Sequence, residues 1–251
     1  MSGHSKWSKI KRQKGADDAK RGQTFTKLTR EIIVAAKEGG GNPEANFRLR
    51  LAVQKARDAN MPSDNINRAI QKGTGGGEGT GQLAEITFEG YGPKGVAILV
   101  EAVTDNRNRT VQEVRSLFTR FGGSLGATGS VAWLFESKGV ITVDATGKEA
   151  EDLAMAAIEW GAEDVKIEKG YIEIYAKPRD FEVVRKAIEA KKPVSSAEVL
   201  MEPKNTVMLE GEEAARVLNF LERLEELDDV QKVASNLDFS EATLEKLKAH
   251  A

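Results

Sequence analysis

Cysteine does not occur anywhere in this sequence. Its absence removes disulfides, thiolate nucleophiles and cysteine-ligated metals together, and it fits a reducing cytoplasm. Histidine is nearly as scarce: His4 and His250 are the two present, one near each chain end. A Ser-His-Asp triad needs its imidazole held by a third group. Neither position offers that, so hydrolase chemistry of this type is not expected. No run approaches the roughly 18 uncharged apolar residues of a membrane-spanning helix. The basic N-terminus lacks a following apolar stretch, so it does not read as a secretory signal, and Asp17 and Asp18 argue against an organelle transit peptide.

What is present is a chain of 251 residues, 40% hydrophobic and 30% charged, enough apolar material for two or three compact domains. Its net charge of −2 conceals an asymmetry. Residues 1–80 carry 16 Lys plus Arg against 8 Asp plus Glu, a net of +8, and the remainder carries 21 against 31, a net of −10. Like charge gathered in one segment signals a partner more than a fold. A polyanion would be repelled by the acidic remainder and drawn to the first third.

The concentration is sharpest in "GHSKWSKIKRQKGADDAKRG" (3–22), where Lys6, Lys9, Lys11, Arg12, Lys14, Lys20 and Arg21 face only two acids. The segment has too little apolar content to order itself. Cations with Trp7 among them suit phosphate contacts plus stacking of an exposed base. The alternative is a solvated basic tail whose Trp7 docks on the neighbouring helices. A second basic element, "NFRLRLAVQKARDANMPSDNINRAI" (46–70), adds Arg48 and Lys55, with Arg50, Arg57 and Arg68 nearby. Singly these read as a solvated helix face; beside the tail they extend one electropositive surface.

Periodicity organises the rest. Phe25, Leu28, Ile32 and Ala35 recur at helical spacing over 24–38, and Gly39-Gly40-Gly41 ends the run. Asn42-Pro43 reads as cap and first position of a second helix with Leu49, Ala52, Val53 and Ala56 inward. Ser63 reads as the cap of a third, short helix closed by Gly73. The glycine-rich "GTGGGEGTG" (73–81) is a linker. Thereafter Ala84, Ile86 and Phe88 alternate as a strand, "EGYGPKG" (89–95) reads as a turn, and "VAILVEAVT" (96–104) as a buried strand. The helix from Thr110 to Phe121 carries a capping-box pattern at Thr110 and Glu113 and a closing Gly122. Beyond it we expect strands at 131–136 and 139–143, a helix at 147–160, strands at 163–168 and 171–176, a helix at 179–190 and a strand at 197–202. From 139 this is β-α-β-β-α-β, the split βαβ pattern of ferredoxin-like folds. The incomplete 84–121 segment is completed by a strand, a helix (212–227) and a strand within 206–235. The acids of "LERLEELDD" (221–229) read as the solvated face of that helix.

"TDNRNRT" (104–110) lies between a buried strand and a helix N-terminus, where free backbone N–H groups favour anions. Asp105, Arg107 and Arg109 are therefore candidate anion or partner contacts; the competing reading is a polar turn held by Asx hydrogen bonds. A calcium-loop pattern fails at Arg107 and lacks its glycine. Neither glycine-rich stretch has the register of a nucleotide-binding loop.

Several long segments are familiar. "GHSKW" (3–7), "DAKRGQTFTKL" (18–28), "RLRLAVQKARDANMP" (48–62), "EGYGPKGVAILVEAVTDNRNRT" (89–110) and "GGSLGATGSVAWLFE" (122–136) resemble the YebC/PmpR family, whose mitochondrial relatives are translational activators of cytochrome c oxidase. The resemblance runs to about residue 238. It implies a helical N-terminal domain followed by two α/β domains, the third inserted in the second. It implies a DNA-binding transcriptional regulator, or a ribosome-associated factor that helps synthesis through slow, proline-rich stretches. Phe88 stands where relatives often have Tyr and Lys94 where Gly is frequent, while the tail after Asp238 reads as a member-specific extension with a helix begun by Ser240.

The expectation is thus an α+β multidomain chain: a basic tail and three-helix domain (1–74), a linker (75–81), a middle α/β domain (82–130 plus 205–238), an inserted ferredoxin-like domain (131–204) and a tail (239–251). Its function is expected to be non-enzymatic, without cofactor or metal. Its partner is nucleic acid, either DNA or ribosomal RNA, with the ribosome as a further partner and no membrane.

Overall fold

The structure is a computed structural model that describes residues 18–75, 83–168 and 170–250. The tail as far as Asp17 and most of the glycine-rich linker therefore lie outside the described residues. The chain divides into two compact units, Met1–Leu134 with Asn205–Ala251, and Phe135–Lys204.

The first unit opens with α1 (Asp18–Gly39), α2 (Phe47–Asp58) and α3 (Ser63–Gly73). Their shared core is built from Leu28, Ile32, Ile33, Leu49, Val53, Met61 and Ile66, with Ala35, Ala36, Ala52, Ala56 and Ala69 letting the helices approach closely. α1 begins six residues before its periodic apolar run. Gln23, in that added turn, donates to Asp228 Oδ1 at 3.0 Å, so tertiary contact supports helix that the apolar pattern alone does not mark. Asn46, not Asn42, caps α2. Its Oδ1 accepts from Leu49 N at 3.0 Å while its Nδ2 donates to the carbonyls of Ala35 (2.7 Å) and Gly40 (2.8 Å). Asn42 instead closes a turn, accepting from Glu44 N at 3.0 Å. At α3, Pro62 occupies the cap position and Ser63 is already helical, with no side-chain cap.

The middle part of this unit is a four-stranded sheet of order β3-β1-β2-β9, formed by β1 (Ala84–Tyr91), β2 (Ala97–Thr104), β3 (Ser124–Leu125) and β9 (Val230–Ser235). β1 runs through Tyr91, so only Gly92–Gly95 remains of the turn expected at 89–95. β1 is antiparallel to both β2 and β3. Consequently β2, α4 (Arg107–Arg120) and β3 form a split βαβ unit with β1 between its strands. α7 (Gly211–Glu225) packs beside α4 on one face of the sheet. Phe118 of α4 meets Phe220 of α7 edge-on, ring centres 4.9 Å apart, over Ile86, Phe88, Ile98 and Val100. The strand expected near residue 206 is β8 (Val207–Met208), but it does not join this sheet. It pairs in parallel with β10 (Leu237–Asp238), and β3 takes the edge instead. Ser240 begins α8 (Glu241–His250), accepting from Thr243 N at 3.3 Å.

Lys94 has φ +61°, in the left-handed region where a Cβ is strained by about 1–2 kcal/mol. Its ion pair with Glu213 at 2.5 Å is exposed on both sides and offsets little of this. Lys94→Gly is therefore expected to raise stability by about 0.5–1 kcal/mol, measured as a higher urea midpoint at unchanged slope.

The second unit contains β4 (Phe135–Val143), α5 (Gly147–Glu159), β5 (Asp164–Glu168), β6 (Tyr171–Ala176), α6 (Phe181–Glu189) and β7 (Ser196–Pro203). Its sheet order, β5-β6-β4-β7, is the ferredoxin-like arrangement expected from the pattern. Two strands were expected at 131–136 and 139–143. Instead β4 is continuous from Phe135, and Ala132–Leu134 is a turn of 3₁₀ helix. The polar "ESKG" masks this continuity because Gly139 is a packing site and not a break. A Cβ there would stand 2.1 Å from the buried ring of Phe181, so only glycine lets α6 rest on the strand.

Candidate functional site

The "TDNRNRT" motif is arranged around a carboxylate that lies outside it. Thr104 ends β2, Asn106 caps α4 by accepting from Arg109 N at 3.1 Å, and Arg109 and Thr110 sit in the first turn. Thr104, Arg109 and Thr110 all reach Asp229, in the turn between α7 and β9. Asp229 accepts from Thr110 Oγ1 at 2.6 Å, Arg109 at 2.8 Å and Thr104 Oγ1 at 3.0 Å. A fourth donor arrives from the helical domain: Arg30 of α1, at 2.7 Å. The Asp229 side chain is only 2% exposed. Burial opposes its charge, but the bonds from Thr110, Arg109 and Thr104 and the nearby Arg30 outweigh burial and hold its carboxyl below the usual range.

This carboxylate lies at the centre of a docking surface. Gln23 and Lys27 of α1 donate to the backbone carbonyls of Glu226 and Glu225, and Arg30 to that of Asp228 at 2.6 Å. The carbonyls at the C-terminal end of α7 thus find donors on α1, and a helix C-terminus favours cations. Burial lowers the Lys27 ammonium from its ordinary value. Arg48 of α2 adds a second tie, pairing with Glu38 at 2.5 Å and with Glu85 of β1.

The residues expected to form a site are therefore dispersed among different tasks. Lys6, Trp7, Lys9, Lys11, Arg12 and Lys14 lie outside the described residues; Lys20 and Arg21 fall in the first turn of α1. Arg48 is held by two carboxylates, and Lys55 is half-buried on α2. Arg50 donates to the carbonyls of Pro43 (2.9 Å) and Glu44 (3.0 Å) in the turn before α2, and Arg68 to Asn65 Oδ1 at 2.5 Å within α3, so both are used locally. Arg57 is exposed. Asp105 is exposed and pairs with Arg109 at 2.9 Å, and Arg107 is exposed beside them. The structure brings Asp105 and Arg109 together but commits Arg109 to Asp229.

Asp229 and Glu89 are buried carboxylates that no pattern in the sequence marks. Asp228 and Asp229 were read as part of a solvated acidic helix face, yet α7 ends at Glu225 and Asp229 turns inward. Glu89, inside the stretch read as a turn, is buried on β1. It accepts backbone N–H bonds from Gly129 (2.6 Å), Val131 (2.8 Å) and Ala132 (2.7 Å). Burial works against its charge, but these three bonds prevail and lower its carboxyl below the ordinary value. The carbonyl of Ser130, in the loop Glu89 secures, accepts from Trp133 Nε1 at 3.1 Å and Tyr91 Oη at 3.3 Å.

Within the second unit, a cavity of about 320 Å³ is lined by Glu136, Lys138, Asp164, Lys166, Tyr175 and Glu202, among others. Its charges are of mixed sign. Among the described residues no group of three His, Cys, Asp or Glu side chains is placed to hold a metal ion, and no helix is long and apolar enough to cross a membrane.

Comparison with known proteins accounts for nearly all of the chain. Residues 5–76 match the family model described as the TACO1/YebC protein N-terminal domain, and residues 83–237 the model of the TACO1/YebC second and third domain. A protein of Dehalococcoides mccartyi named "probable transcriptional regulatory protein" is 56% identical over 252 residues, with both chains covered completely. One of the same name from Rubrobacter xylanophilus is 54% identical over 245 residues, covering 97% of this chain and 98% of its own. Among solved structures, a conserved hypothetical protein from Aquifex aeolicus superposes with a TM-score of 0.80 at 49% identity, covering 89% of this chain and 93% of that one. With both its helical domain and its two α/β domains matched, the chain belongs to the TACO1/YebC family.

Proposed function

We propose that this protein is a non-enzymatic regulator of gene expression that binds nucleic acid through its N-terminal third. The observation that carries this reading is the net charge of +8 on residues 1–80 of a chain whose remainder is −10. Lys6, Lys9, Lys11, Arg12, Lys14, Lys20 and Arg21 neutralise phosphates, with Trp7 stacking on or wedging beside a base. The name shared by its relatives, probable transcriptional regulatory protein, supports a regulatory role.

A second reading, a translation factor whose tail contacts ribosomal RNA, is favoured by how the arginines of the helical domain are used. Duplex readers of the helix-turn-helix type lay a helix bearing several free polar side chains in the major groove. Here Arg48, Arg50 and Arg68 are occupied in ties within their own unit. That leaves the tail to supply most of the affinity, as backbone contacts that read no sequence.

Two measurements test these readings. A transcription factor should prefer its own duplex sites over random duplex by roughly 10³-fold or more. A ribosome factor should show only nonspecific duplex binding and sediment with ribosomes at physiological salt. Strong discrimination among promoter duplexes without ribosome association selects DNA, and the reverse pattern selects RNA. Absence of binding to either overturns the reading altogether.

A further inference from the structure

We propose that the exposed face of α4 in the middle domain is a second nucleic-acid contact, built to seat a phosphodiester backbone. The proposal extends the nucleic-acid reading above, which rests on the N-terminal third, to a surface outside it.

α4 buries Thr110, Val114 and Phe118 against the sheet and α7. At 3.6 residues per turn, the opposite side presents Asn108, Gln112, Ser116 and Thr119 as a central row of uncharged hydrogen-bonding groups. Arg115 lies on one side of this row and Arg120 on the other, while Arg107, at the first turn, stands in line with the buried side, beyond its end. All three arginines are exposed. Among the described residues, none of their guanidinium groups donates a hydrogen bond or forms an ion pair. Arg109 differs, since Asp229 and Asp105 hold it. Glu113 is the only acid on the helix, and it is half-buried at the edge of the face.

The surroundings make this composition informative. Residues 81–251 carry an excess of ten acids, and the neighbouring helix α7 exposes charges of both signs, Glu212 and Glu213 with Arg216 and Arg223. A solvated helix face in such a sequence should carry mixed charge. α4 instead exposes arginines with no exposed acid, separated by amide and hydroxyl groups that can donate to phosphate oxygens. Arg side chains fit phosphate bidentately, and short polar side chains are common backbone contacts. A protein partner would need an acidic stripe matched to the same spacing; a polyanionic backbone provides one by its nature. Asp229 fixes the first turn of α4 through Thr110 and Arg109, so the face is held rigidly and loses little entropy on binding.

The test uses the full chain with two labelled probes, a random-sequence DNA duplex and an RNA stem-loop, titrated across a salt series. The face variant R115Q/R120Q is compared with a tail variant, K6Q/K9Q/K11Q/R12Q, and with the unaltered protein. Losing two phosphate contacts should make the slope of log K against log salt shallower by about 2. The fall in affinity between about 50 and 200 mM salt should correspondingly shrink by roughly tenfold. The probe that registers this change identifies the source of the backbone. A second variant, Gln112→Glu, places an acid in the middle of the row and should weaken binding without removing an arginine. If the unaltered protein binds, the tail variant is impaired and both face variants match the unaltered protein, the α4 proposal is wrong and the tail reading stands. If the unaltered protein binds neither probe, both fail.

Discussion

Asp229→Ala is expected to destabilise the first unit by about 3–5 kcal/mol, the cost of removing one partner from a buried charge network. Four donors converge on this carboxylate: Thr104, Thr110, Arg109 and Arg30. Truncation leaves the buried Thr104 hydroxyl without its acceptor and the mostly buried Arg30 without its counter-charge, while Thr110 falls back on the Asn106 carbonyl and Arg109 on Asp105. For a unit of this size the melting temperature should fall by roughly 10 °C. Asp229→Asn keeps an acceptor for the threonines and should cost less, which separates the loss of charge from the loss of the hydrogen-bond hub. The effect also carries a pH signature. The folded-state pKa of Asp229 lies below its unfolded value of about 3.9, so its contribution is fully present above that value and disappears as pH falls through the folded pKa. The stability gap between the unaltered protein and Asp229→Ala should therefore be constant from neutrality to about pH 5 and close on further acidification. A variant that melts with the unaltered protein at neutral pH, or a gap that widens in acid, would contradict the role assigned to this residue.

The largest effect on binding is expected from the tail. If six of its cations meet phosphates, they contribute a slope of about −4 to −5 to log K against log salt, depending on whether the target is single- or double-stranded. Affinity should then drop by roughly three orders of magnitude between about 50 and 200 mM salt. Changing Lys6, Lys9, Lys11, Arg12, Lys14 and Lys20 to Gln should abolish most of that response. What remains, a slope of about −2, is the share that α4 would supply through Arg115 and Arg120. Lys55 and Arg48 are a useful contrast. Arg48 is engaged with Glu38 and Glu85, so Arg48→Gln should loosen the tie between α2 and β1 while leaving the salt slope almost unchanged. A salt response that is flat in the unaltered protein, or undiminished in the tail variant, would remove the basis of the functional reading.

Much of this molecule is legible from the order of its residues, because the properties concerned are local. The helical period of Leu28, Ile32 and Ala35, the continuous apolar run of β2 and the β-α-β-β-α-β succession of the inserted domain each follow from burial of one face of a regular element. The charge asymmetry needs no structure at all. What stayed hidden depends on residues that meet only after folding. Which asparagine caps α2 is decided by the carbonyls of Ala35 and Gly40 that Asn46 can reach and Asn42 does not bond. β4 runs through a polar stretch because a phenylalanine 42 positions later needs the space above Gly139. β8 leaves the main sheet because β10 offers it a parallel partner. Above all, "TDNRNRT" could be read from sequence as an anion site or a turn, whereas its arginine and threonines serve an aspartate about 120 residues away. No periodicity marks such a residue. Asp229 looks like any acid at the end of an acidic helix until the chain folds, when burial of its carboxylate becomes tolerable only because donors from β2, α4 and α1 arrive together.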